Sequence, residues 1–365
     1  MKTHLKTTKE RIEALFNQAY GFAKSLHRSD LTYDIAQLWE ALTLDRANAL
    51  STYFRSPALR RAYLGYYLPL YSAKIALLME QMIREGHLTP SKIQPLRVLD
   101  LGSGPLAGLW GAHLALGPIA QAMAVDKEIG PMRMGHDFFK QVLGPSEVPP
   151  IQLVRANLTG PEYFWKPGFK PNLIVMGHVL NELGNGSRFL ESKLRLVLSA
   201  AQLLENDGRL LIVEPASKVS SRALMEVRDA LFQEKSVHIL APCTGASVCP
   251  LLKSPQNWCH GELSWERPKV CEEVDRRIGF DKSFLKYSYL LIAKKPVEAR
   301  GEPGRIVSGE MRDRGIERRY VCTPEGLLTL SQKESDQAIL SRLSRGEKVD
   351  LSSFPKKVVK IEKET

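Results

Sequence analysis

The stretch Leu96–Gly108, LRVLDLGSGPLAG, constrains this chain more than any other. An apolar strand, Leu96–Leu101, carries Asp100 near its end and runs into a turn holding Gly102 and Gly104. Ala107–Leu116 then has the composition of a helix. Glycine lets backbone N–H groups approach a ligand closely, so strand, turn and helix together predict a phosphate- or nucleoside-binding turn. Two glycines at this spacing also mark ordinary tight turns, and the residues that follow decide between the readings.

From Leu96 short apolar strands alternate with helical stretches. Strands are expected at Leu96–Leu101, Ile119–Asp126, Ile151–Asn157, Asn172–Val179, Arg209–Glu214, Val237–Pro242 and Tyr287–Ala293. The longest intervening helices fall at Ser187–Leu204 and Ser220–Gln233. Such alternation predicts an α/β fold with a mostly parallel sheet covered on both faces, and ligands at the carboxyl ends of its strands. Asp126 ends the second strand, where an acid is placed to accept hydrogen bonds from ribose hydroxyls; its competing role is to cap the next helix. Asn157, at the end of the third strand, is a candidate for a nucleobase edge or for a turn. MGHVLNEL, at the end of the fourth, places His178, Asn181 and Glu182 beside the same site, with His178 and Glu182 as candidate bases.

Ahead of the sheet, residues 1–90 read as a helical region. Ile35, Leu38, Trp39 and Leu42 recur at helical spacing, as do apolar positions through Tyr63–Met82 around Pro69. Arg46, Arg55, Arg60 and Arg61 lie among them, as RNA contacts or as the polar side of a helical cap. The formal charge of +11 and pI near 9.3 favour a polyanionic partner, nucleic acid before membrane. The opening MKTHLKTTKERIEALF carries Glu10 and Glu13 with no apolar core behind it, so no presequence is expected. That points to a bacterial cytoplasm, or a mitochondrion if the source is eukaryotic.

The strands around Val237–Cys243 and Tyr287–Ala293 are separated by about forty residues, too many for a structureless loop. APCTGASVCPLLKSPQNWCH supplies an organiser, placing Cys243, Cys249 and Cys259 in C-x5-C-x9-C spacing, and Cys322 adds a thiol from RRYVCTPEG. Four thiols in such a setting suit tetrahedral zinc or an iron–sulfur cluster, and sulfur softness serves both. Cys271 differs: with Val270, Val274 and Ile278 it falls on a helical pattern and reads as packing.

The glycine turn, the acid after strand two and the closing GRLLIVEP give residues 96–295 a resemblance to the class I S-adenosylmethionine-dependent methyltransferase fold. A nicotinamide dehydrogenase is the alternative fold-mate, but Ala107 stands where G-x-G-x-x-G has its third glycine. The helical lead, LDLGSGP, HVLNEL, LIVEPA, APC-x5-CP, WCH, KYSYLLI and YVCTPEG together resemble the methyltransferase-like proteins associated with the mitochondrial ribosomal small subunit, and their bacterial relatives. The resemblance runs from about Leu38 to Leu330. It departs at GSGPLAG, where a more glycine-rich turn is usual, and at GELSWERP after WCH.

That resemblance implies a seven-stranded, mostly parallel Rossmann-like methyltransferase domain over 91–295, with a cysteine-rich insertion at 243–286. A small, basic, β-rich extension follows over 296–365. It implies S-adenosylmethionine at Asp100, Gly102, Gly104, Asp126, Asn157 and His178, and a 4Fe–4S cluster on Cys243, Cys249, Cys259 and Cys322, with zinc as the alternative. The implied partners are the ribosomal small subunit and its rRNA, with no membrane or DNA and a monomer off the ribosome. Arg312, Arg314, Arg318 and Arg319, interleaved with Tyr320 beside Cys322, are the candidate RNA contacts.

The turn after strand four reads HVLNEL, without the proline of the Asp/Asn-Pro-Pro-aromatic turn common in amino-group methylation. The leading expectation is therefore an assembly or translation factor without robust catalysis. An active rRNA methyltransferase and a zinc-stabilised RNA-binding module are the alternatives.

Overall fold

The computed structural model describes residues 7–26, 29–44, 56–158, 160, 168–184, 187–243, 245, 248–296, 303–336, 339–355 and 359–363. Arg46 and Arg55 lie outside the described residues. A parallel sheet starts with β1 (Arg97–Leu101), β2 (Gln121–Asp126), β3 (Ile151–Arg155), β4 (Leu173–Gly177) and β5 (Arg209–Glu214). After β6 (His238–Ala241) and β7 (Gly261–Ser264), the long β8 (Phe284–Ala293) inserts antiparallel between β5 and β6. The order β3-β2-β1-β4-β5-β8-β6 is that of the expected methyltransferase-like sheet.

Among the described residues the sheet has eight strands, not seven. The cysteine insertion contributes β7, which pairs antiparallel with the start of β8, from Gly261 opposite Tyr287 to Ser264 opposite Phe284. Strand β8 begins at Phe284, earlier than its apolar run from Tyr287 indicates, and its leading residues offer the backbone edge that β7 takes up.

Period-two alternation sends neighbouring residues to opposite cores. Val98, Ala124 and Val175 face one core, whereas Leu99, Val125 and Ile174 face the other. The first core is covered by α1 (Thr8–Ser25), α2 (Leu31–Leu44), α3 (Pro57–Ala62), α4 (Leu68–Arg84), α5 (Ala107–Leu116) and α6 (Ile129–Leu143). Two further helices, α7 (Leu190–Leu203) and α8 (Lys218–Phe232), pack on the second. The N-terminal region is helical as expected, and a capping box between Thr7 and Glu10 starts α1.

Between α3 and α4 the chain widens into a π turn, Tyr63–Tyr67, in which the N–H of Leu68 reaches back to the Tyr63 carbonyl. Pro69 follows at once; it has no N–H to continue the ladder, and the wider turn accommodates it without breaking the rod. Arg61 is turned inward rather than toward a partner: it is 2% exposed and paired with Asp34 and Ser29. Within the insertion, α9 (Lys269–Ile278) buries Cys271 completely, as its helical spacing predicts, with its Sγ donating to Asp275.

The described residues of the C-terminal extension form a second sheet of six strands. They are β9 (Pro303–Ile306), β10 (Met311–Asp313), β11 (Ile316–Thr323), β12 (Gly326–Lys333), β13 (Lys348–Asp350) and β14 (Lys360–Lys363). Among the described residues, 336–345 carries only the short 3-10 turn Leu340–Arg342, because the Gln332 side chain accepts from the Leu340 N–H and Leu340 is drawn into the small core of this sheet. Strand β14, in the basic tail, pairs with β12.

Arg305, on β9, fastens the two sheets together. Its guanidinium donates to both Glu85 carboxylate oxygens at 2.8 and 2.9 Å, to the Pro242 carbonyl at 3.1 Å and to the Gly346 carbonyl at 2.9 Å. Burial pushes the Glu85 carboxyl up, and Arg305 more than offsets it, so the group sits below its ordinary range. Replacing Arg305 by Leu leaves the largely buried Glu85 carboxylate without its arginine, with the Gln81 amide still donating to it. Chemical denaturation of the Arg305→Leu variant is expected to show a loss of about 3–5 kcal/mol; a loss below about 1 kcal/mol would deny Arg305 this role.

Candidate functional site

A cavity of about 970 Å³ opens at the carboxyl ends of the parallel strands. One half is built by the glycine turn. The N–H groups of Gly102 and Ser103 donate to the Val125 carbonyl at 2.8 and 3.1 Å, which hangs the turn on the end of β2. Gly102 has φ +66°, and a Cβ there would lie 2.4 Å from Val179, so only glycine fits.

Asp100 is 2% exposed, and its carboxylate accepts from the Leu109 N–H at 3.2 Å near the start of α5. A Cβ on Gly108 would sit 2.4 Å from that carboxylate, so the second residue of α5 must also be glycine for the helix to come so close. Burial, opposed by those backbone donors, pushes Asp100 up to about 8. Asp126 accepts from the N–H of Gly104 and from that of Glu128, each at 2.9 Å. The acid expected to meet a ribose thus also clamps the glycine turn, while still lining the cavity with Asn157.

His178 and Glu182 lie in the same cavity. His178 adopts φ +62°, rare for a residue with a side chain, and is held there by its N–H donating to the Val213 carbonyl at 2.7 Å. Its ring meets Tyr71 edge-on at 4.6 Å. Glu182 pairs with Lys127 at 3.6 Å. The turn carrying them is anchored by Glu214, 1% exposed at the end of β5, which accepts from the Leu180 N–H at 2.8 Å and from the Asn181 amide at 2.7 Å. All six proposed cofactor residues therefore line one cavity.

The opposite half comes from the helical region, and sequence reasoning did not find it. Tyr63, Tyr67 and Tyr71 line it at four-residue spacing, with ring centroids 5.9 Å apart along the series. Lys74 follows one turn later on the same wall. The four-residue repeat was visible in the chain, but it reads as the apolar face of a helical cap, and spacing alone does not say that the face lines a cavity.

Cys243, Cys249, Cys259 and Cys322 line a second, small and largely apolar cavity, so three segments of the insertion and strand β11 converge on it. Among the described residues no disulfide involves any of the four. Helix α8 forms its floor: Arg228 Nε donates to Cys243 Sγ at 3.2 Å, and the Cys249 N–H donates to Asp229 at 3.0 Å. Burial and the neighbouring thiols push Cys249 up to about 11 and Cys322 up to about 12, and raise Cys259 further. Among the described residues, no group of three or more His, Cys, Asp or Glu side chains is gathered tightly enough to hold a single metal ion.

The four candidate arginines divide. Arg312 is exposed but ion-paired with Glu310 and Glu334, Arg318 is partly exposed beside Asp313, and Arg314 sits exposed at the β10–β11 turn. Arg319, expected as an RNA contact, is instead 5% exposed and packs against Glu317 and Glu310, because alternation along β11 turns it to the buried face.

Residues 62–333 match the family model described as mitochondrial small ribosomal subunit Rsm22. No curated protein sequence matches the chain. Solved structures similar to it include the ribosomal protein L11 methylase from Lactobacillus delbrueckii subsp. bulgaricus, at 16% identity over 62% of this chain and 79% of that one, with a TM-score of 0.34. Magnesium protoporphyrin IX methyltransferase from Synechocystis PCC 6803 with bound SAM is 11% identical over 81% and 100%, at 0.37. A putative RNA methyltransferase from Pyrococcus horikoshii is 10% identical over 62% and 85%, at 0.36. At such scores the fold assignment rests on the strand order itself. No described helix is long and apolar enough to cross a membrane.

The raised Asp100 gives a pH test of the glycine-turn geometry. A carboxyl whose folded pKa lies above its unfolded value stabilises the fold below the unfolded value, near 3.8, and loses that contribution as pH rises through about 8. Relative to an Asp100→Asn variant, the natural chain is expected to lose on the order of a few kcal/mol between pH 4 and 8. Parallel stability–pH curves for the two would contradict the burial of this carboxyl against α5.

Proposed function

The chain belongs to the Rsm22 family, and from that premise we propose that it is a small-subunit assembly or translation factor that binds rRNA. On this reading the methyltransferase-like domain serves as a binding platform, and a 4Fe–4S cluster locks the C-terminal sheet onto it. The convergence of four thiols from two separate parts of the chain on one cavity carries the proposal.

The residues fit both groups. For S-adenosylmethionine, the left-handed Gly102 and Gly104 open the turn, and Asp126 and Asn157 line the pocket where a nucleoside would sit. When bound, it supplies an electrophilic methyl group. Asp126 already holds the Gly104 N–H, so the turn is shaped before any ligand arrives. For the cluster, the donor set is four cysteines, with His260 on the same cavity wall, and buried Arg228 offers a compensating positive charge beside Cys243. The cluster would supply a covalent link between β11 and the insertion, and its binding energy would be folding energy for the C-terminal sheet. The platform reading requires of His178 and Glu182 only that they shape the pocket.

Positive charge at the exposed Arg314 and the partly exposed Arg318 would then meet rRNA phosphate. Co-sedimentation with small ribosomal subunits is expected to weaken steeply with salt, and reversing Arg314 and Arg318 to Glu should reduce the salt slope by about two. Binding indifferent to salt would remove phosphate contact from the account. Cys259→Ser should lower subunit binding and melting temperature together, because the thiol both fastens the insertion and orders the appendage. A variant that keeps its melting temperature would count against a cluster at this cavity.

A further inference from the structure

The tyrosine-lined half of the main cavity holds two polar groups with nothing to bind. Lys74 is 8% exposed, and among the described residues its ammonium has no hydrogen-bond or ion-pair partner; it lies over the Tyr71 ring, 5.3 Å from the centroid. Tyr67 is 5% exposed, and its buried hydroxyl has no partner either. Both groups line the cavity from one helical rod, seven residues and hence about two turns apart. A buried ammonium left without an anion is costly, and so is a buried hydroxyl without an acceptor. Two such donors on one wall form a site prepared for a negative group.

The surroundings narrow what carries that group. Tyr63 and Tyr71 put aromatic rings on the wall beside the donors, His178 meets the Tyr71 ring from the side of the glycine turn, and Lys282 adds a second positive charge. Rings next to buried cationic donors match a ligand with a flat heterocycle and a phosphate. Burial, with Lys282 repelling it, pulls Lys74 down to about 8, which still leaves it mostly charged at neutral pH.

We propose that this half of the cavity binds a single nucleotide of RNA turned out of its strand, its phosphate held by Lys74 and Tyr67 and its base against the rings of Tyr63 and Tyr71. The site rests on the rRNA-binding reading above and deepens it: the cavity then takes the cofactor on the glycine side and an RNA nucleotide on the tyrosine side. No group transfer between the two is implied.

The test titrates the full chain with the four nucleoside 5′-monophosphates, the unphosphorylated nucleosides, inorganic phosphate and S-adenosylmethionine. At least one monophosphate should bind more tightly than both its nucleoside and inorganic phosphate. Lys74→Met should weaken that monophosphate about ten-fold or more, as expected for removing a hydrogen bond to a charged group, and leave the nucleoside unchanged. Tyr67→Phe, which keeps the ring and removes only the hydroxyl, should weaken it by a smaller factor and guards against a misfolded Lys74 variant. Tyr71→Leu should weaken nucleoside and monophosphate alike.

The proposal is overturned if no monophosphate outbinds inorganic phosphate, or if Lys74→Met and Tyr67→Phe both bind as the natural chain does. It is overturned equally if Lys74→Met lowers the affinity for S-adenosylmethionine instead, which would assign the ammonium to the cofactor. Small-subunit co-sedimentation on the same preparations separates the two readings. Its loss with monophosphate binding intact would strike the assembly-factor reading and leave this site standing, and the reverse outcome would strike this site alone.

Discussion

The guanidinium of Arg305 is the contact on which the arrangement of this protein depends. It joins four segments distant in sequence: the end of α4 through Glu85, the start of the cysteine insertion through Pro242, the turn before β13 through Gly346, and its own strand β9. Strand β9 pairs with β11 so that Arg305 stands opposite Cys322. Fixing Arg305 therefore fixes Cys322 relative to Cys243, Cys249 and Cys259. Planar, permanently charged and furnished with five donors, arginine can satisfy both oxygens of a carboxylate and two carbonyls at once, four bonds where lysine has three donors. The thiol cavity is in this sense a consequence of an ion pair.

A second constraint shapes the larger cavity. Asp100 and Asp126 both turn their carboxylates onto backbone N–H groups, one at the start of α5 and one in the glycine turn. Glycine at 102 and 108 permits that approach, and the helical region then closes the opposite wall with Tyr63, Tyr67, Tyr71 and Lys74. The N-terminal helices are thus more than a cap. They supply half of the site, and the insertion supports them in turn, since α9 packs against α1 and α2 and the Tyr66 hydroxyl donates to Asp275.

Much of this was legible in the chain. The glycine turn, Asp126, Asn157 and the HVLNEL turn all lie at strand ends, and strand ends on one side of a parallel sheet must converge, so their common cavity followed from topology. The four thiols were readable as a set because a long insertion needs an organiser. What escaped had physical reasons. Arg319 looked like its neighbours until β11 formed, because one step along a strand reverses the face a side chain presents. Strand β7 is a run of four residues with no strong pattern, and it exists because β8 offers it an edge. The tyrosine wall was legible as a helical face running through Pro69, which the π turn absorbs, but helical spacing does not say what a face is turned toward. Arg228 and Arg305 gain meaning only from what the fold places beside them.

The account stands most directly on what the four thiols hold. Anaerobic purification, followed by an absorbance scan and iron and acid-labile sulfide analysis, addresses it without assuming any activity. The account predicts a brown protein with about four iron and four sulfide per chain, and loss of both when Cys243, Cys249, Cys259 or Cys322 is replaced by serine. Replacement of buried Cys271 should leave the iron content unchanged. A colourless, iron-free preparation, or one carrying stoichiometric zinc instead, would contradict it.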